Sequence, residues 1–219
     1  MLRPASLIKP IELISSDRGS LHCLQASFMM TVHSMLGRDI TWEEAERLTG
    51  YVEARDTWPY AMFLSAADMG LSIHSIEIFD PEVMAVDPAK EVRRVYGPGE
   101  IAEAVIAGMD VAYESDLAAR CLRNPRISFE VRVPDGRDIE TGIRSDRLAL
   151  VSLDYGLLHA TGKYEGHMIL VSGIDDDRAE IFDPGPPGDA ALLITREDLE
   201  ASMHSPTEIT GAVILVGNS

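Results

Sequence analysis

Cysteine is scarce in this chain: Cys23 and Cys121 are the only two among 219 residues, too few for a disulfide framework. No Cys-x-x-Cys pair and no Cys/His cluster with zinc spacing occurs, so a structural zinc site is not expected. Long apolar runs are missing too, since no stretch approaches the ~20 residues that cross a bilayer as a helix. At the N-terminus, MLRPASLIKPIELISS is interrupted by Pro4, Lys9 and Pro10, which prevents the apolar core of a signal peptide. The expected compartment is the cytoplasm, with both thiols reduced. Positive charge is also in deficit: 19 Lys plus Arg face 36 Asp plus Glu, a net charge of −17. Such a surface repels phosphate backbones and anionic lipid, so neither nucleic acid nor membrane is an expected partner.

Hydrophobic residues, at 46%, and charged residues, at 25%, have ordinary globular values. A chain of this length can bury a sizeable core, and one domain over 1–219 is expected. Leu21, Leu24, Phe28, Val32 and Met35 have the spacing of one helical face, with Ser20 as the expected N-cap and Gly37 as the stop. Thr41-x-x-Glu44 is a capping box for a short helix closed by Gly50, and Thr57-Trp58-Pro59 opens a third helix towards Gly70. LSIHSIEI at 71–78 alternates as a strand, Asp80-Pro81 begins an irregular stretch, and helices follow at roughly 100–108 and 113–123. After Pro125 the pattern changes to strands at 129–133, 148–153, 167–174, 179–183 and 211–216, with one helix capped by Thr195. The fold class is therefore α+β, with a helical half over about 1–125 and an antiparallel sheet half over about 126–219.

Cys23 falls in the first turn of its helix. There the macrodipole and the free N–H groups favour thiolate over thiol. The bland alternative is a small buried thiol, the usual role of a free cysteine. Cys121 has no basic partner in its helix and reads as core packing. An activated thiol needs an imidazole. Of the six histidines, only His167 opens a long apolar strand directly after a glycine.

Asp175-Asp176-Asp177 is the natural turn after that strand. A three-residue loop pairs Ile174 with Arg178, which places Asp183 opposite Ile169 and His167 opposite residue 185. His167 and Asp183 then share one face as diagonal neighbours, ~7–8 Å apart between Cα atoms. In this register Ile169, Val171, Ala179 and Ile181 form one apolar face, whereas a slip of one residue would separate the pair. Asp183 could equally be an ordinary turn residue of its Asp-Pro-Gly, and His167 a strand-end histidine bonded to a backbone carbonyl. The triple Asp lacks the spacing of a calcium loop, and no metal ligand set or cofactor motif is found.

Taken together, HCLQAS at a helix start and GHMILVSGIDDDRAEIFDPG resemble the C39-like branch of the papain-like cysteine peptidases. ITWEEAERLTGY, DTWPYAMFLSAADMGLSIHSIEIFD and EGHMILVSGID are similar to uncharacterised bacterial and archaeal C39-like proteins, so the resemblance covers most of the chain. It implies a papain-like fold in which Cys23 is the nucleophile, His167 the base and Asp183 the orienter, with no cofactor. It also implies a peptide, or an acyl or amide small molecule, as substrate.

One position departs from the family's pattern. The usual glutamine six residues before the cysteine, a donor to the oxyanion, is here Asp17. A carboxylate cannot donate unless protonated, and losing one oxyanion donor costs about 10²–10³ in rate. Gln25 is not a replacement, because two residues along a helix turn it about 200° away from Cys23. The Cys23 backbone N–H, with Ser20 or His22, is the expected remainder of the oxyanion site. His22 itself is expected at the surface or the cleft edge. Three functions stay open: hydrolysis by a Cys-His-Asp thiol enzyme, acyl or peptidyl transfer with the same triad, and non-catalytic peptide binding.

Overall fold

The computed structural model describes residues 1–5, 7–16, 22–53, 55, 57–186, 188–205 and 211–218. Ten helices and seven strands are found among them. In the first half are α1 (Cys23–Leu36), α2 (Trp42–Thr49), α3 (Tyr60–Asp68), β1 (Leu71–Glu77), α4 (Pro81–Met84), α5 (Pro88–Tyr96), α6 (Glu100–Gly108) and α7 (Val111–Arg123). The second half holds β2 (Ile127–Val131), α8 (Gly136–Arg144), β3 (Leu148–Asp154), α9 (Tyr155–Leu158), β4 (Gly166–Ile174), β5 (Arg178–Asp183), β6 (Asp189–Thr195), α10 (Arg196–Met203) and β7 (Ala212–Asn218).

Local chemistry accounts for many boundaries. The hydroxyl of Thr41 accepts from Glu44 N at 3.2 Å while the Glu44 carboxylate accepts from Thr41 N at 3.0 Å, so the expected capping box opens α2. Gly50 closes α2 at φ 70°, in the left-handed region that favours glycine. The stretch after Asp80 is more ordered than expected. Asp80 caps α4 and Asp87 caps α5, each followed by a proline at the helix start, where a missing N–H costs nothing. α1 begins at Cys23 with His22 as its N-cap, so the helix starts later than the expected Ser20 cap. Ser20 itself, like Asp17, lies outside the described residues.

The seven strands form one sheet in the order β2-β1-β7-β3-β4-β5-β6. Only β1 and β2 are parallel among its pairs, and they are joined by a crossover through α4 to α7. The α+β class is as expected, but the sheet draws β1 from the helical half.

Strand alternation divides the apolar residues into two cores. Leu148, Leu150, Met168, Leu170, Ile214 and Val216 pack with α1, α3 and α7 on one side. Ala149, Val151, Ile169, Val171, Ala179 and Ile181 pack with Ile139 and Ile143 of α8 and with Leu199 and Met203 of α10 on the other. α1 is buried nearly all round, from Leu24 to Met35, rather than along a single face. That is how a helix wedged between a sheet and other helices is expected to look.

Candidate active site

α1 is anchored over the start of β4. The Ser27 hydroxyl donates to the carbonyl of Met168 at 3.2 Å. Cys23 lies one turn before Ser27 on the same helical face, and His167 directly precedes Met168. The helix start therefore overhangs the strand start, and the Cys23 thiol is close enough to the His167 imidazole to act on its charge. Cys23 is partly exposed, as a thiol that meets a substrate must be. It stands at the first helical position, where the backbone N–H has no partner within the helix.

The β4–β5 hairpin supplies the third group. Leu170 pairs with Phe182 and Val171 with Ile181, the expected register at the end of the ladder nearest the site. Near the tip, Gly173 pairs with Glu180 and Ile174 with Ala179. This is one residue off the expected pairing of Ile174 with Arg178. A bulge between Val171 and Gly173 absorbs the difference, so the tip is shifted while the site end keeps its alignment. His167 Nε2 lies 2.7 Å from Asp183 Oδ1. A carboxylate accepts only, which puts the imidazole proton on Nε2 and leaves Nδ1 for Cys23.

Asp183 is fully buried and receives two further N–H groups. Gly185 N donates to Oδ1 at 2.8 Å, a bond between residues two apart that aspartate favours at turns. Its backbone sits at φ 73°, where glycine is unstrained. His159 Nε2 lies 2.7 Å from Oδ2.

The sequence reading missed His159. It follows α9, one helical turn beyond Tyr155. The Tyr155 ring stacks on the His159 ring, with centroids 4.2 Å apart, and meets His167 edge-on at 5.0 Å. The visible signal was Asp154 before Tyr155-Gly156. Its carboxylate accepts from Gly156 N at 2.9 Å, Leu157 N at 3.3 Å and Glu165 N at 3.1 Å, folding 154–165 into a compact turn beside β4.

Charge follows this geometry. Burial alone would depress the His167 imidazolium, but the hydrogen bond with Asp183 and the neighbouring Cys23 sulfur outweigh burial and raise its pKa to about 9. Burial likewise pushes the Asp183 carboxyl up, and the bonds from His167, Gly185 and His159 hold it below the ordinary carboxylate value. A charged imidazolium between a carboxylate and a thiol is thus favoured across the neutral range. Cys121 is buried and its pKa is pushed up to about 12 by desolvation, consistent with the expected packing role.

The remaining expectations divide. His22 is buried rather than at the cleft edge. Its ring lies 4.3 Å from that of Tyr51 and 5.9 Å from that of Trp42, and its Nε2 is 3.4 Å from Glu46. Aromatic packing and the contact with Glu46 therefore hold the side chain. Gln25 points away as expected, donating to Thr49 at 2.8 Å and Thr57 at 3.4 Å. Among the described residues, no group of three or more His, Cys, Asp or Glu is arranged to hold a metal ion. No helix among them is long and apolar enough to cross a membrane.

No protein-family model matches the chain, and no curated protein matches its sequence. Solved structures do. The peptidase domain of Streptococcus ComA, a bi-functional ABC transporter of a quorum-sensing pathway, is similar with a TM-score of 0.51 and 12% identity, over 96% of this chain and 100% of that one. A double-glycine-motif protease from an AMS/PCAT transporter, in complex with its leader peptide, is similar with a TM-score of 0.50 and 12% identity over 100% of both chains. The chain therefore has the papain-like fold of the C39 peptidase domains.

Proposed function

We propose that the chain is a thiol hydrolase acting on a peptide or amide bond through Cys23, His167 and Asp183, within a single domain over 1–219. The observation that carries this reading is the placement of His167 between Asp183, at 2.7 Å, and the thiol at the start of α1. Nucleophile, base and orienter then follow in a connected line, the arrangement by which thiol enzymes form an acyl intermediate. A structural neighbour described in complex with a leader peptide supports a peptide as the substrate class.

In the first half-reaction the Cys23 thiolate attacks the carbonyl carbon, forming the C–S bond while the carbonyl π electrons move onto oxygen. The backbone N–H of Cys23, at the first helical position, is the donor this reading assigns to that oxygen. Collapse of the intermediate breaks the C–N bond as the imidazolium of His167 gives its proton to the leaving amine. In the second half-reaction the neutral imidazole takes a proton from water as its oxygen attacks the thioester carbon; collapse then breaks the C–S bond, releasing the acid and restoring the Cys23 thiolate beside the His167 imidazolium. Asp183 stays ionised throughout and holds the imidazole in the Nε2–H tautomer.

Alkylation by iodoacetamide across a pH series tests the nucleophile. Cys23 is expected to react rapidly well below pH 8, His167→Ala to abolish that reactivity, and Cys121 to stay unlabelled in the folded protein. A Cys23 that reacts only as an ordinary thiol would overturn the reading and favour a binding module. Acyl transfer to an amine is a second reading that rests on the sequence, where Asp17 stands in place of the usual glutamine donor and a carboxylate suits a cationic acceptor. Product analysis with and without added amine separates the two, because a hydrolase is indifferent to the amine.

A further inference from the structure

Asp183 has no water-facing surface, yet both of its oxygens are engaged, and from opposite elements. Oδ1 takes the N–H of His167 on β4 and that of Gly185. Oδ2 meets Nε2 of His159, which comes from the turn after α9. That turn is itself braced. Asp154 ties three of its backbone N–H groups, and Tyr155 N donates to Glu165 O at 2.8 Å. The Tyr155 ring touches both imidazoles, and its hydroxyl donates to Pro186 O at 3.1 Å. The charged groups around the pair are Asp183 from β5, the Cys23 thiol from α1, and Glu165 and Asp189, which act on Tyr155.

The geometry points to His159 as a positioning residue: its Nε2–H pins the second oxygen of Asp183, so that the first stays on His167. The inference builds on Cys23, His167 and Asp183 as the reacting line, but what it asserts concerns only the orientation of Asp183. A buried carboxylate oxygen stripped of its donor bears the full cost of desolvation. The group can relieve this by rotating to share the two remaining N–H groups, which weakens the bond to His167. His159 is 24% exposed, so it also links this buried network to solvent.

Ring-nitrogen NMR of the full chain tests the assignment. In the wild type, neutral His159 is expected as the Nε2–H tautomer; the Nδ1–H tautomer would leave no proton for Asp183 and overturns the inference without any variant. In His159→Leu the His167 titration midpoint is expected to fall from about 9 by about one pH unit, a tenfold change. In His159→Gln, whose amide N–H reaches a similar distance, the midpoint is expected to be retained. A midpoint that stays put or rises in His159→Leu overturns the inference, as does a wild-type His167 that titrates like a free imidazole. If His159→Leu does not fold, the wild-type tautomer and the Gln variant decide. Failure of the hydrolase reading looks different, because Cys23 would alkylate as an ordinary thiol while His167 still responded to His159.

Discussion

Nε2 of His167 lies 2.7 Å from Oδ1 of Asp183, and Gly185 N donates to that same oxygen at 2.8 Å. One carboxylate oxygen therefore both orients the imidazole and supplies the charge that keeps it protonated. Asp183→Asn preserves the size and removes the charge. It is expected to bring the His167 pKa down from about 9 and to slow Cys23 alkylation at pH 6 by about 10²-fold. A rate within twofold of wild type would show that Asp183 does not support the imidazolium.

Stability should fall in two successive steps as pH rises. Glu77 is buried, and although Ser75 donates to it at 2.7 Å, desolvation raises its pKa from 4.5 to about 7. A raised folded value means that its contribution is complete below 4.5 and is lost as pH climbs through about 7. For His167 the contribution is complete below its ordinary value of 6.5 and is lost on passing about 9. Asp183, held low, contributes in the opposite sense and is lost on acidification. Burial raises Glu114 to about 7 as well, so Glu77→Gln should remove only its own share of the first step, on the order of 3 kcal/mol, or roughly 6–12 °C in Tm at pH 8. His167→Gln should remove the second. Melting temperatures from pH 4 to 10 check both, and a Glu77→Gln curve parallel to wild type would refute the assignment.

Ser27 is the tie between the helix that carries Cys23 and the strand that carries His167. Ser27→Ala removes its 3.2 Å bond to Met168 O in a fully buried place. The expected loss is about 1 kcal/mol of stability, together with slower Cys23 alkylation because the helix start is no longer tied to β4. Chemical denaturation and the alkylation rate, measured on the same sample, test both. Loss of stability with an unchanged rate would mean that burial alone positions Cys23.

What the sequence disclosed was local chemistry and strand alternation. Thr41 and Glu44 announce α2 because a capping box is complete within four residues. The alternation of Ile169, Val171, Ala179 and Ile181 disclosed the pairing at the site end of the hairpin, because only one register buries all four. The bulge at Ser172 was not legible, since it arises from how the tip turns. α4 and α5 were legible in principle, as Asp80-Pro81 and Asp87-Pro88 both carry the cap and first-turn signals. His22 was misplaced because its burial depends on Trp42 and Tyr51, which approach only in the folded chain. His159 was hidden for the same reason: Asp154 signals the turn, but not that the turn brings His159 to a partner 24 residues away.

That turn can be broken at one atom. A Cβ on Gly156 would lie 1.5 Å from the carbonyl oxygen of Lys163, and both partners are backbone, so no side chain can move aside. Gly162, in the same turn, has open space around it and a φ of 76°, so Gly162→Ala meets only backbone strain of about 1 kcal/mol. Gly156→Ala must instead open the 154–165 turn, at an expected cost of about 3 kcal/mol. For a chain of this size, 3 kcal/mol corresponds to roughly 6–12 °C in Tm. Opening the turn also withdraws His159 from Asp183, so the His167 midpoint should fall in Gly156→Ala and hold in Gly162→Ala. Equal melting temperatures for the two variants would mean that the turn yields without cost. A lowered Tm with an unmoved His167 would mean that Asp183 keeps its orientation without the turn.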